Sequence, residues 1–87
     1  MIEYIKGKIV ELTPASVIIE NEGMGYHLSI SLSTFTRLEG KSDYKILVHE
    51  VIREDNHQLF GFADKPERDL FRHLISVTGV GPGTARV

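Results

Sequence analysis

Cysteine is absent from the sequence, so neither a disulfide framework nor a thiolate metal site supplements the core, and nothing points to an oxidising compartment. A cytoplasmic location is the expectation. Long apolar runs are missing as well: no stretch approaches the ~20 residues that cross a bilayer, and Met1-Ile2-Glu3-Tyr4-Ile5-Lys6 carries charge too early for a signal peptide. There is no excess of basic charge either. With 10 Lys and Arg against 12 Asp and Glu, the formal net charge is −2, the wrong sign for a protein that coats nucleic acid through broad electrostatics. Any nucleic-acid contact must therefore be local.

Signatures of chemistry are equally scarce. The four histidines, His27, His49, His57 and His73, fall on different expected elements without the spacing of a zinc site, so no metal is expected. No nucleophile and base are legible as a pair. Gly79-Val80-Gly81 follows a helical pattern instead of a strand, which disfavours a dinucleotide fingerprint, and no Gly-Lys-Ser/Thr ending exists for a nucleotide phosphate loop. The chain is expected to bind no cofactor and to be no enzyme.

What is present is material for one modest core. Eighty-seven residues, 41% of them apolar, make one domain plus a short appendage. Ile2 to Leu12 reads as a long strand whose Gly7 relieves the pleat, Thr13-Pro14-Ala15-Ser16 as a turn, and Val17-Ile18-Ile19 as a strand stopped by Asn21-Glu22-Gly23. Over Gly25 to Ser31, Tyr26, Leu28 and Ile30 alternate with Gly25, His27 and Ser29, the period of a half-buried sheet. From Ser31 the period changes: Leu32, Phe35 and Leu38 recur every three residues, which predicts a short helix capped by Ser and ended at Gly40. Tyr44 to Arg53 and Gln58 to Phe62 complete a set of strands joined by the polar tip Glu54-Asp55-Asn56-His57.

Three strands, a helix and two strands is the order of the five-stranded Greek-key barrel known as the OB-fold. The predicted class is therefore mainly β, with residues 1-63 forming the barrel. Residues 64-87 read as a separate start: Asp64 caps a helix, Pro66 sits in its first turn, and Leu70, Phe71, Leu74 and Ile75 follow at helical spacing up to Val77 or Thr78. Gly79-Val80-Gly81-Pro82-Gly83-Thr84-Ala85 after it fits the hairpin of a helix-hairpin-helix unit. Glycines let the backbone turn tightly and bare its N–H groups, Val80 anchors the turn, and amides at the next helix start form an anion site for a DNA phosphate. A helix simply ended by glycine is the plainer alternative.

Taken in order, Lys6-Gly7, Gly23-Met24-Gly25-Tyr26, Ser33-Thr34-Phe35, Arg53-Glu54-Asp55, Leu59-Phe60-Gly61-Phe62, Glu67-Arg68-Asp69-Leu70-Phe71 and Gly79-Val80-Gly81-Pro82 closely resemble the RuvA family of Holliday junction branch migration subunits. The resemblance runs through the whole chain but covers only that family's amino-terminal domain and the first half of its first hairpin motif, which implies a fragment. It implies a homotetramer, when full length, that holds four-way junction DNA open while the RuvB motor drives branch migration, with the RuvC resolvase as a further partner, in recombination, DNA repair and the SOS response to DNA damage. It assigns Glu54 and Asp55 to an acidic pin, and Gly79, Val80, Gly81, Gly83 and Thr84 to a phosphate-binding hairpin. Gly83 departs from the family, which usually has lysine there, so a charge-assisted contact is lost. Without the resemblance, Glu54 and Asp55 read as an ordinary solvated turn, and the chain as an OB-fold protein-interaction module with no junction selectivity.

Overall fold

A computed structural model describes residues 1–76. Its elements are β1 (Tyr4–Thr13), β2 (Ser16–Asn21), β3 (Met24–Ser29), α1 (Leu32–Leu38), β4 (Asp43–Arg53), β5 (Asn56–Phe62) and α2 (Lys65–Ile75). The strands close a barrel in the order β1-β2-β3-β5-β4, with the single helix α1 inserted between the third and fourth strands as the OB-fold requires. The mainly β reading holds, and so does each element expected within the described residues.

Closure depends on β1 changing partners. Its first half pairs with β4 from Tyr4↔Leu47 to Lys8↔Asp43, and its second half pairs with β2 from Lys8↔Glu20 to Thr13↔Ser16, with Val10 as the extra residue of a bulge between Ile9 and Glu11. Gly7 stands at the crossover. A Cβ there would lie 2.1 Å from the Glu20 carbonyl oxygen, so this glycine admits a close backbone approach in addition to easing the bend.

Both hairpins of β2 have local causes. Between β1 and β2 the Thr13 hydroxyl accepts from the N–H groups of Ala15 and Ser16 at 3.3 and 3.0 Å, which fixes the turn around Pro14. Between β2 and β3 the loop residues Glu22 and Gly23 both have positive φ, 50° and 82°, the primed turn whose twist matches the flanking strands.

Two apolar clusters result. Ile5, Val17, Ile19, Leu28, Ile30, Ile46 and Val48 fill the barrel, and Leu38 of α1 joins them. On the opposite side of β5, Phe60 and Phe62 point out of the barrel and are covered by Phe71 of α2, with ring centroids 5.1 and 5.0 Å apart. The alternation demands that Gly61 face inward, where a Cβ would come within 2.8 Å of Ile46 and 3.1 Å of Leu28.

Three details differ from the expectation. The helix α1 buries Thr34 and Leu38 and leaves Leu32 66% exposed, because the hydroxyl of Thr34 has partners below it. In α2 the buried residues are Phe71 and Arg68, while Leu70 is 57% exposed. Finally, Asn56 and His57 belong to β5 and pair with Arg53 and Ile52, so the tip is shorter than its polarity suggested.

Replacing Gly61 by alanine should therefore overpack the barrel and lower stability by about 1–3 kcal/mol. Gly7→Ala should cost more, since backbone must move, and Gly25→Ala least, because its Cβ would meet only Ile18 at 3.6 Å. Urea midpoints of the three variants test that order; equal losses would show that the crossover contact does not control closure.

Candidate nucleic-acid interface

The β4–β5 ribbon outgrows the barrel. β1 accompanies β4 only as far as Leu47, and β3 meets β5 only at Ser29↔Phe60, so Glu50 to Arg53 and their partners Asn56 to Leu59 have no third strand paired beside them. Four residues at strand rise give a projection of roughly 13 Å. At its end Arg53 pairs with Asn56, leaving Glu54 and Asp55 as a two-residue loop. Both are exposed and neither has positive φ. Among the described residues no cation lies within salt-bridge distance of either carboxylate.

The base of the ribbon is pinned. Glu50 accepts from the Ile2 N–H at 3.0 Å and pairs with His57 Nε2 at 2.6 Å, which folds the amino terminus against the ribbon. The Ile2 N–H first, and His57 second, hold the Glu50 carboxyl below its ordinary value.

Along the other face of the ribbon lies α2. The chain reverses at Asp64, whose carboxylate caps the helix by accepting from the Glu67 N–H at 3.0 Å and pairs with Arg37 of α1. The cap first, after which Arg37 contributes, lowers the Asp64 pKa. Glu67 reaches α1 from the same turn, accepting from Ser31 at 2.7 Å and from Thr34, while the Thr34 hydroxyl accepts from the Ala63 N–H at 3.2 Å. This network fixes where α2 starts.

A second polar seam fixes its course. Arg68, 8% exposed, donates to the Glu3 carboxylate at 3.1 Å, and its Nε is buried without a hydrogen-bond partner, with Asp69 at 3.8 Å supplying only charge. One turn later Arg72 Nε donates to His49 Nδ1 at 3.1 Å, and His49 packs edge-on against Phe71 at 5.4 Å. That bond needs Nδ1 unprotonated. Burial, then the charges of Arg72 and Arg68, lower the His49 pKa below 6.5, in agreement with the geometry. The helix thus runs back along the ribbon in the direction of its tip.

Of the expected site residues, Glu54 and Asp55 stand together at the tip. Gly79, Val80, Gly81, Gly83 and Thr84 lie outside the described residues. The docking set Glu3, His49, Arg68 and Arg72 was not anticipated; its one signal was the placement of two arginines, four apart, on the face that also carries Phe71 and Ile75. Among the described residues no three His, Asp or Glu side chains converge as a metal site, and no helix is long and apolar enough to cross a membrane.

Residues 1–61 match the model of the RuvA N terminal domain. Over all 87 residues the chain is 61% identical to the Holliday junction branch migration complex subunit RuvA of Parabacteroides distasonis, covering 44% of that protein. It is 58% identical to the protein of that name in Azobacteroides pseudotrichonymphae, covering 44%, and 55% identical to that of Bacteroides fragilis, covering 43%. The chain spans less than half the length of these relatives.

The seam makes stability pH-dependent. Because the folded His49 titrates below 6.5, the unfolded chain binds more protons in the interval beneath that value, and stability is lost as pH falls from 6.5 toward the folded pKa. His49→Asn keeps an acceptor near Arg72 and cannot be protonated. Its denaturation midpoint should drop less between pH 7.5 and 5.5 than that of the parent; the other three histidines are common to both proteins, so identical drops would remove His49 as a cause.

Proposed function

Because the chain belongs to the RuvA N terminal domain family, we propose that it is the barrel portion of a non-catalytic subunit that recognises four-way DNA junctions and holds them open. The observation that carries this reading is the tip of the β4–β5 ribbon, where Glu54 and Asp55 stand exposed and, among the described residues, without a salt-bridge partner. Carboxylates placed where duplex arms converge repel phosphates, so they keep strands apart and resist entry of intact duplex. They act by exclusion and perform no bond chemistry. The names of the relatives, branch migration complex subunits, agree with such a role.

Attraction then belongs to residues 64-87, read as the opening of a helix-hairpin-helix unit distinct from the barrel of residues 1-63. There the backbone amides around Gly79, Val80, Gly81 and Gly83 and the hydroxyl of Thr84 bind a phosphate without reading sequence. With Gly83 where lysine is usual in the family, amides carry more of the contact. In the full-length protein four copies surround one junction, the RuvB motor consumes ATP to move the arms, and RuvC resolves the product, all in the cytoplasm during recombination and repair.

The test uses the full-length protein containing this chain. Glu54→Gln with Asp55→Asn should leave folding intact and tighten linear-duplex binding by roughly fivefold, the size of one solvent-screened charge contact, so that preference for a junction narrows. Gly79→Val or Gly81→Val should weaken junction binding itself by blocking amide approach. Unchanged duplex affinity in the tip variant would overturn the exclusion role, and equal affinity of the parent for junction and linear duplex would overturn junction recognition.

A further inference from the structure

Where β1 leaves β2 for β4, a cleft of about 300 Å³ opens between Tyr4, Lys6, Asn21 and Tyr26, floored by Ile2 and Ile5. We propose that this cleft and the lysines beside it bind an unpaired nucleotide of a single DNA strand, with its base against Tyr4 and its phosphate on Lys6 and Lys45. The inference rests on the junction reading, since strands exchanged at a crossover are transiently unpaired, and it adds a separate site for them.

The first observation is a like-charge pair. Ile5 and Ile46 are buried in the barrel, so the alternating residues Tyr4, Lys6 and Lys45 face outward, and Lys6 lies directly opposite Lys45. Like charges facing each other across a sheet are destabilising. Among the described residues no lysine has a carboxylate within salt-bridge distance, whereas Arg37, Arg68 and Arg72 all do. An anion bound between Lys6 and Lys45 offsets that repulsion.

The second is the aromatic. Tyr4 is 53% exposed, an unusual placement for so large a ring, and Lys45 Nζ sits 4.3 Å from its centroid. A cation on an exposed ring beside a second tyrosine is the combination with which single-strand grooves hold bases and backbone together. The volume lies at the lower end of ligand pockets, which suits one base and not a duplex. Asn21 donates its side-chain amide to the Lys6 carbonyl at 2.6 Å, which leaves its oxygen to accept from a base edge.

The third is the state of the surrounding acids. Glu3 is engaged by Arg68 and Arg72, Glu50 by His57 and the Ile2 N–H, and Glu20 stands opposite Lys8. Glu20, Glu22 and Asp43, which faces Lys8 from β4, have no salt bridge among the described residues and remain as opposing charges. The positive field is therefore confined to the facing pair Lys6 and Lys45.

Titrating this chain with a fluorescent short oligothymidylate at low salt tests the site. Tyr4→Ala should weaken binding about tenfold, in the range of one lost base stack, while Tyr4→Phe retains it. Lys6→Gln with Lys45→Gln should weaken binding and reduce the salt slope by about 0.7 per lysine, whereas Lys41→Gln, outside the cleft, leaves both unchanged. Urea midpoints confirm that each variant is folded. Absence of oligonucleotide binding by the parent, or binding by Tyr4→Ala and by the double lysine variant as tight as the parent's, would overturn the site. Oligonucleotide binding through Tyr4 in a protein without junction preference would reject the proposed function alone, and junction preference that survives loss of the cleft's binding would reject the cleft alone.

Discussion

At Gly7 the first strand passes so close to the Glu20 carbonyl that any side chain would strike backbone. This approach lets one strand serve both edges of the sheet: Lys8 is paired at once with Glu20 and with Asp43. A closed barrel has no open edge there to template aggregation, and its interior can be filled from every side by Ile, Leu and Val. At the other end of β1 the pairing with β4 begins at Tyr4↔Leu47, so the rest of β4 has only β5 as a strand neighbour.

A free two-stranded ribbon is marginal in water, and here it is braced on both faces. One face receives the amino terminus through Glu50, Ile2 and His57. The other receives α2, where Phe71 covers Phe60 and Phe62. Apolar packing alone would let such a short helix slide or rotate over a flat aromatic surface. The polar contacts set its register: Glu67 on Ser31 and Thr34 at one end, Arg68 on Glu3 and Arg72 on His49 further along. Each exposed pair contributes little by itself, but the buried guanidinium of Arg68 would be costly to leave without Glu3. Specific placement of the helix, more than stability, is what these contacts supply.

The strands and helices were legible because their apolar periods are clean; Tyr26, Leu28 and Ile30 announce β3 without help from context. Legibility failed where a polar group took an interior place. Thr34 displaced Leu32 from the buried face of α1 because its hydroxyl has both a donor and an acceptor waiting, and Arg68 displaced Leu70 because Glu3 lies beneath it. Neither partner is near in sequence, so no local pattern could reveal them. The same holds for Gly7, whose obstacle comes from Glu20 on another strand. At the ribbon tip the residues Glu54 and Asp55 were identifiable as a turn from composition, but their lack of a salt bridge among the described residues follows only from how far β4 and β5 outrun their neighbours.

That isolation gives the charge pattern its physical sense. In 0.15 M salt a charge is screened over about 8 Å, whereas the tip carboxylates stand roughly 13 Å beyond the last flanked residues of the ribbon. Acidic tip and basic wall therefore act as separate fields even though the sum over the chain is slightly negative. A polyanion approaching the tip meets repulsion that the lysines of β1 and β4 cannot cancel, and one lying along the wall meets attraction that the tip cannot cancel. Net charge is thus a poor guide to how a polyanion meets this fold; the distance imposed by the ribbon decides which sign is felt at each place.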